Sequence, residues 1–184
     1  KDNKGNKGNK GNKGNKGKKF ILWAHNSHIG NCKANVEDKG KDKLNIGFLL
    51  HHKYKALKVG FSTYHGSVMA SNRWDKSGHK HILKPAVKGS FEDIFHQISK
   101  KVNLKSFMFY CNPSFTDKKL FRYVGVIYDH KNELDAHYQL TNINHEYDLI
   151  IFIDKTNHLQ LSGPLKMNQM KSIKNNYEQS KKLF

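Results

Sequence analysis

The segment Asp148-Leu149-Ile150-Ile151-Phe152-Ile153-Asp154 sets five consecutive apolar residues between two aspartates. A short run of this kind, rich in β-branched residues and bounded by charge, reads as a strand, and its lack of alternation reads as burial on both faces. A strand buried on both faces needs a layer of other elements on each side, which commits the chain to an α/β arrangement. Ala56–Thr63, Lys80–Leu83 (stopped by Pro85) and Ser106–Tyr110 read as further strands, and Tyr123–Tyr128 as extended chain. Phe20–Ala24 reads as the first strand. The predicted fold class is α/β, with a mixed, largely parallel sheet flanked by helices.

The helices are spaced between these runs. Ser90-Phe91-Glu92-Asp93 resembles a capping box with Asp at the usual Glu position, and Phe91, Ile94, Phe95, Ile98 and Val102 follow at helical spacing. Leu44–Tyr54 predicts a helix burying Phe48, Leu49 and Leu50, with Gly47 as an interruption. Thr116–Phe121 predicts a short helix. Trp23 and Trp74 read as core residues.

Both ends have a different composition. Asn3–Gly17 repeats Asn-Lys-Gly five times and holds no apolar side chain, so residues 1–19 read as a disordered basic segment. That segment carries eight lysines and one aspartate, and the rest of the chain keeps +11 of the total +18. The remaining lysines are spread along the sequence rather than set beside aromatics, so a solvated surface is favoured over a specific nucleic-acid platform. Residues 20–165 form the predicted folded region, and 166–184 a polar helical tail. No apolar run is long enough to span a bilayer. Cys32 and Cys111 show neither disulfide-framework nor zinc-finger spacing, and as free thiols they fit a reducing, cytoplasmic setting.

The chemistry concentrates after the apolar start of the folded region. In Trp23-Ala24-His25-Asn26-Ser27-His28-Ile29, two imidazoles three residues apart leave an apolar run. At the carboxyl end of a strand such a pair suits acid–base work, oxyanion stabilisation or metal ligation. No third ligand follows at short spacing, so neither a metal nor another cofactor is expected. A structural histidine pair is the plain alternative. His51-His52 and His79-x-His81 sit in lysine-rich contexts and read as exposed. Asn26 fits either an imidazole partner or a local turn.

Trp23-Ala24-His25-Asn26-Ser27-His28-Ile29 resembles the Ala-His-Asn-x-His signature of the erythromycin esterase family. Four further blocks follow in that family's order. Leu57-Lys58-Val59-Gly60-Phe61 with Tyr64-His65-Gly66-Ser67 is similar to its Gly-Phe strand and the loop after it. Pro85-Ala86-Val87-Lys88-Gly89-Ser90-Phe91-Glu92 is similar to its Pro-Ala-x-x-Gly-Ser-x-Glu segment. Arg122-Tyr123-Val124-Gly125, with Tyr128, and the strand Tyr147–Thr156 complete the series. One departure lies after Phe107–Cys111, where the family often carries Asp-Leu-Arg.

The resemblance implies hydrolysis of a macrolide lactone or other carboxylic ester by histidine-activated water. His25 and His28 would be the catalytic residues, and Asn26, His65 and Arg122 would contact substrate. For His65 a plain loop histidine, and for Arg122 a surface salt bridge, are the alternatives. The family's proposed base lies in a Gly-Glu-x-x-His-like segment of its N-terminal half, and no such segment occurs here. The chain is therefore expected to be the C-terminal portion, with a small-molecule ester or lactone and the missing N-terminal half as its partners, and to be inactive alone. Competing readings are a non-catalytic binding derivative of the fold and a basic polyanion- or nucleic-acid-binding module.

Overall fold

The structure, a computed structural model, describes residues 19–34 and 44–159. Of the disordered start expected over 1–19 all but Lys19 lies outside the described residues, as does the helical tail expected over 166–184. The elements are α1 (Asn26–Ile29), a 3₁₀ turn (Cys32–Ala34), α2 (Ile46–Tyr54), β1 (Val59–Ala70), β2 (His79–Leu83), α3 (Phe91–Val102), β3 (Ser106–Tyr110), β4 (Lys119–Arg122), α4 (Glu133–His137), β5 (Tyr138–Thr141), α5 (Ile143–Glu146) and β6 (Leu149–Thr156).

The main sheet has the order β2-β1-β6-β3, and β4 and β5 form a separate two-stranded pair. The sheet is mixed, as the apolar runs predict. Its parallel part is the β1–β6 pairing, while β1–β2 and β3–β6 are antiparallel. Ile150 and Phe152 of β6 point into the main core with Phe91 and Phe95 of α3, and Phe107 and Phe109 of β3 pack against that cluster. The amphipathic spacing that predicts α3 therefore places it on this face. Ser90 accepts a hydrogen bond from the Asp93 backbone N–H, while the Asp93 carboxylate accepts from the Gly89 N–H. The reciprocal half of the capping box thus falls on Gly89 rather than on Ser90.

Four expectations are corrected. Phe20–Ala24 is not a strand: it forms no regular element, and Phe20–Trp23 are exposed, with Trp23 80% accessible. The edge of β1 that this run would have paired is instead met by the Asn26 side chain, at Phe61. Thr116–Phe121 is not a helix. Lys119–Arg122 pairs as β4 with β5, which seats Phe121 in the core, and so short a segment cannot nucleate a helix unaided. In α2 the buried residue is Gly47, and Leu49 is exposed. A Cβ at Gly47 would lie 2.0 Å from the Ile29 carbonyl oxygen, so the helix packs on α1 by backbone contact rather than by its leucines. Trp74 is exposed as Trp23 is.

β1 also runs farther than expected, through Tyr64-His65-Gly66-Ser67. Gly66 has φ +133° and lies where a Cβ would come 2.1 Å from the Thr156 carbonyl oxygen. That backbone conformation lets β1 stay paired to β6 at Thr156 while it turns to meet β2 at Leu83.

Candidate functional site

α1 begins at His25, and the first turn dictates the state of that ring. Its Nε2 lies 3.0 Å from the Val124 carbonyl oxygen, which can only accept, so Nε2 carries the proton. Nδ1 is then the acceptor, taking the Ser27 hydroxyl at 2.8 Å and facing the Ser27 backbone N–H at the helix cap. Burial is the main cause that lowers the His25 pKa, and the nearby His28 ring lowers it further against the opposing Val124 bond. His25 is a neutral imidazole with both nitrogens engaged. His28, three residues on, is exposed, and its ring stands edge-on to His25 at 6.3 Å between centroids.

Asn26 locks this turn to the sheet. Its amide nitrogen donates to the Phe61 carbonyl at 2.6 Å and its amide oxygen accepts the Phe61 N–H at 3.1 Å. The amide serves neither as an imidazole partner nor as a local turn. Underneath, the Glu146 carboxylate accepts from the hydroxyls of Tyr123 (2.6 Å), Tyr147 (2.9 Å) and Thr141 (2.9 Å). Burial raises the Glu146 pKa, opposed by those three donors, and burial holds both phenols far above their ordinary range. A Cβ at Gly30 would lie 2.6 Å from Glu146 Oε1, so the end of α1 rests directly on this network.

A cleft of about 370 Å³ opens beside α1, with walls from Trp23, His25, Asn26, Phe61, Thr63 and Arg122. It lies toward the carboxyl ends of the parallel pair β1 and β6, with Ile153 and Thr156 also contributing. The structure thus gathers His25, Asn26 and Arg122 around one cleft. His28 and His65 are not among its walls. His65 is a strand residue rather than a loop residue, and its Nδ1–H donates to the Asp154 carbonyl at 3.0 Å.

Arg122 is buried, which overturns the surface salt bridge. Nη1 donates to Glu133 Oε1 and the Lys84 carbonyl, both at 2.9 Å, and Nη2 to the Thr63 and Tyr64 carbonyls at 2.7 and 2.8 Å. The guanidinium holds β1 where the strand bends. Its backbone N–H donates to Glu92 Oε1 at 2.8 Å. Glu92 is 1% exposed, its Oε2 has no partner, and burial raises its pKa despite Arg122 nearby.

Other groups carry no sequence signal. His96 and Asp154, 58 positions apart, pair at 2.5 Å, with the His96 ring stacked on Tyr64 at 3.6 Å. His81 is buried rather than exposed, covered by the His79 ring at 4.2 Å. His51 is half-buried, with its Nδ1 near Lys58 Nζ, which pairs with Asp148 at 2.7 Å. Cys32 and Cys111 are free thiols, and burial followed by Asp148 pushes the Cys111 pKa up to about 11. Among the described residues, no group of three or more His, Cys, Asp or Glu is arranged to hold a metal ion, and no helix is long and apolar enough to cross a membrane.

The sequence profile of the erythromycin esterase family matches residues 10–156. Two solved structures share the fold. One is a protein from Bacillus cereus, 18% identical, with a TM-score of 0.60 over 77% of this chain and 34% of its own. The other is a succinoglycan biosynthesis protein, 20% identical, with a TM-score of 0.53 over 73% of this chain and 32% of its own. The chain spans about a third of the length of either.

Proposed function

The chain belongs to the erythromycin esterase family, and we propose that it is the C-terminal portion of a cytoplasmic carboxylic ester hydrolase whose cleft beside α1 takes a macrolide lactone or similar ester. The observation that carries this reading is the division of labour between the two histidines. His25 is spent on Val124 and Ser27 and cannot take a proton from water, whereas His28 is exposed one turn away. In ester hydrolysis water attacks the carbonyl carbon, negative charge gathers on the carbonyl oxygen, and the alkoxide leaves with a proton. In this reading the ester carbonyl lies at the edge of the cleft rather than within its walls, His28 on the neighbouring turn is the donor toward its oxygen, His25 and Asn26 fix that turn, and Arg122 shapes the cleft wall from behind. The base that activates water belongs to the N-terminal half of the fold, as a partner.

The test incubates the purified chain with erythromycin at neutral pH and follows the gain of one water by mass. No turnover is expected from the chain alone. Turnover in a protein containing both halves, lowered by His28→Ala by roughly the hundredfold or more of a lost oxyanion donor, supports the reading. Turnover by the chain alone at about 1 per second, abolished by His25→Ala, overturns the assignment of the base to the other half.

A further inference from the structure

Lys58 stands at the amino end of β1 and Asp148 at the amino end of β6, the end of the parallel pair away from the cleft beside α1. The Lys58 side chain is only 5% exposed. An ammonium this deep in the fold needs acceptors. Asp148 Oδ2 is one, accepting from Nζ at 2.7 Å and from the Lys58 backbone N–H at 2.7 Å. The other neighbour is Nδ1 of His51 on α2, at 3.0 Å. That nitrogen also lies 3.2 Å from the Ala56 carbonyl oxygen. The carbonyl only accepts and the ammonium only donates, so one nitrogen cannot serve both. With its proton kept for Ala56, His51 leaves the buried ammonium facing another donor.

These groups line a second cleft, of about 340 Å³, with Lys33 and His145 among its other walls. It shares no wall residue with the cleft beside α1. The amide oxygens at its walls are already taken. Asn31 Oδ1 accepts the Lys33 backbone N–H at 3.1 Å, and Asn144 Oδ1 accepts the Asn112 N–H at 3.1 Å. Lys58 and Asp148 cancel in formal charge, and Lys33 makes the balance positive. Donors are thus in surplus at this cleft, and the missing complement is an acceptor that carries negative charge. We propose that the cleft binds the phosphate group of a small ligand between Lys33 and Lys58. A phosphate brings up to two charges and several strong acceptor oxygens, and a lysine serves it as a point charge without a demand on angle. The Lys58 ammonium then donates to Asp148 on one side and to a phosphate oxygen on the other, while His51 keeps its proton for Ala56.

Titration of the isotope-labelled chain with inorganic phosphate, followed by amide NMR, tests the assignment. Sodium chloride holds the ionic strength constant, so that attraction by the +18 net charge of the chain is screened equally throughout. Saturable shifts are expected at Asn31, Lys33, Lys58 and Asp148. Lys33→Ala, on an exposed side chain, should weaken binding several-fold. Lys58→Met should weaken it by about tenfold or more, the worth of one hydrogen bond to a charged group. Lys33→Ala carries the test should Lys58→Met, which leaves Asp148 unpaired, fail to fold by near-ultraviolet circular dichroism. Lys80→Ala is the control, because Lys80 of β2 pairs with Met69 at the far end of β1, and it should change nothing. Glycerol phosphate is titrated in parallel: tighter binding than inorganic phosphate names an ester as the ligand, and weaker binding names the free ion. Shifts that never saturate, or Lys33→Ala binding no more weakly than Lys80→Ala, would reduce the effect to diffuse attraction and overturn the proposal. Acetate binding as tightly as phosphate would give the cleft to a carboxylate and overturn it too.

Discussion

Asn26 and Phe61 are joined as neighbouring strands are joined: the side-chain amide of one meets both backbone groups of the other, donating at 2.6 Å and accepting at 3.1 Å. One residue thereby completes the free edge of β1 and sets the angle of the turn that holds His25 and His28. Asn26→Ala should cost about 1–2 kcal/mol, since it removes both bonds. Asn26→Asp should cost more, because a carboxylate would face the Phe61 carbonyl. Urea unfolding measures the loss, and faster amide exchange at Phe61 locates it. An Asn26→Asp protein as stable as the parent would mean that the pairing is incidental.

Gly47 makes a second, steric prediction. Gly47→Ala puts a methyl 2.0 Å from the Ile29 carbonyl oxygen and 2.6 Å from that of Gly30. Backbone cannot yield as a side-chain tip can, so α2 must move away from α1, at a cost of about 3 kcal/mol. Gly89→Ala is the contrast, because nothing lies within 4 Å of its Cβ and only its φ of +83° opposes the change, a cost of about 1 kcal/mol. Thermal unfolding of the two variants should rank them in that order.

What the sequence reveals and what it hides divides along one physical line. β3, β6 and α3 are legible because period and apolarity follow from which face is buried, and each such signal lies within a few residues. The His25–His28 segment and Arg122 are legible only as motif. Nothing local to Asn26 says that its amide will find Phe61, 35 positions on. The exposure of Trp23 and the burial of His81, Glu92 and Arg122 depend on elements distant in the chain. Gly47 reads locally as a weakness of a helix. In the fold it is the point where two backbones touch.

His25 should leave a mark on stability against pH. Burial, aided by His28, holds its pKa below the ordinary histidine value. Below that ordinary value the unfolded chain takes up a proton that the folded chain refuses. The contribution is therefore complete above about pH 6.5 and is lost as pH falls toward the folded pKa. Comparison with His25→Gln should show the two stabilities converging as the solution is acidified. In an NMR titration the His25 ring should protonate below the ordinary histidine value, and a transition at or above that value would contradict the burial argument.

Glu92 should do the reverse. Burial raises its pKa, and the neighbouring Arg122 N–H and guanidinium oppose this only in part. Between the ordinary carboxyl value and the raised one, the folded chain holds a proton that the unfolded chain has released. Stability from this group is complete at low pH and is lost as pH rises through the folded pKa. Glu92→Gln keeps an oxygen to accept the Arg122 N–H, now at 2.8 Å from Oε1, and cannot ionise. Urea midpoints of the two proteins, taken from pH 4 upward, should therefore separate steadily in favour of Glu92→Gln. Other buried carboxyls such as Glu146 are common to both proteins and cancel. Parallel curves across the range would mean that Glu92 ionises in the folded protein as readily as in the unfolded chain, and that its unpartnered Oε2 is solvated after all.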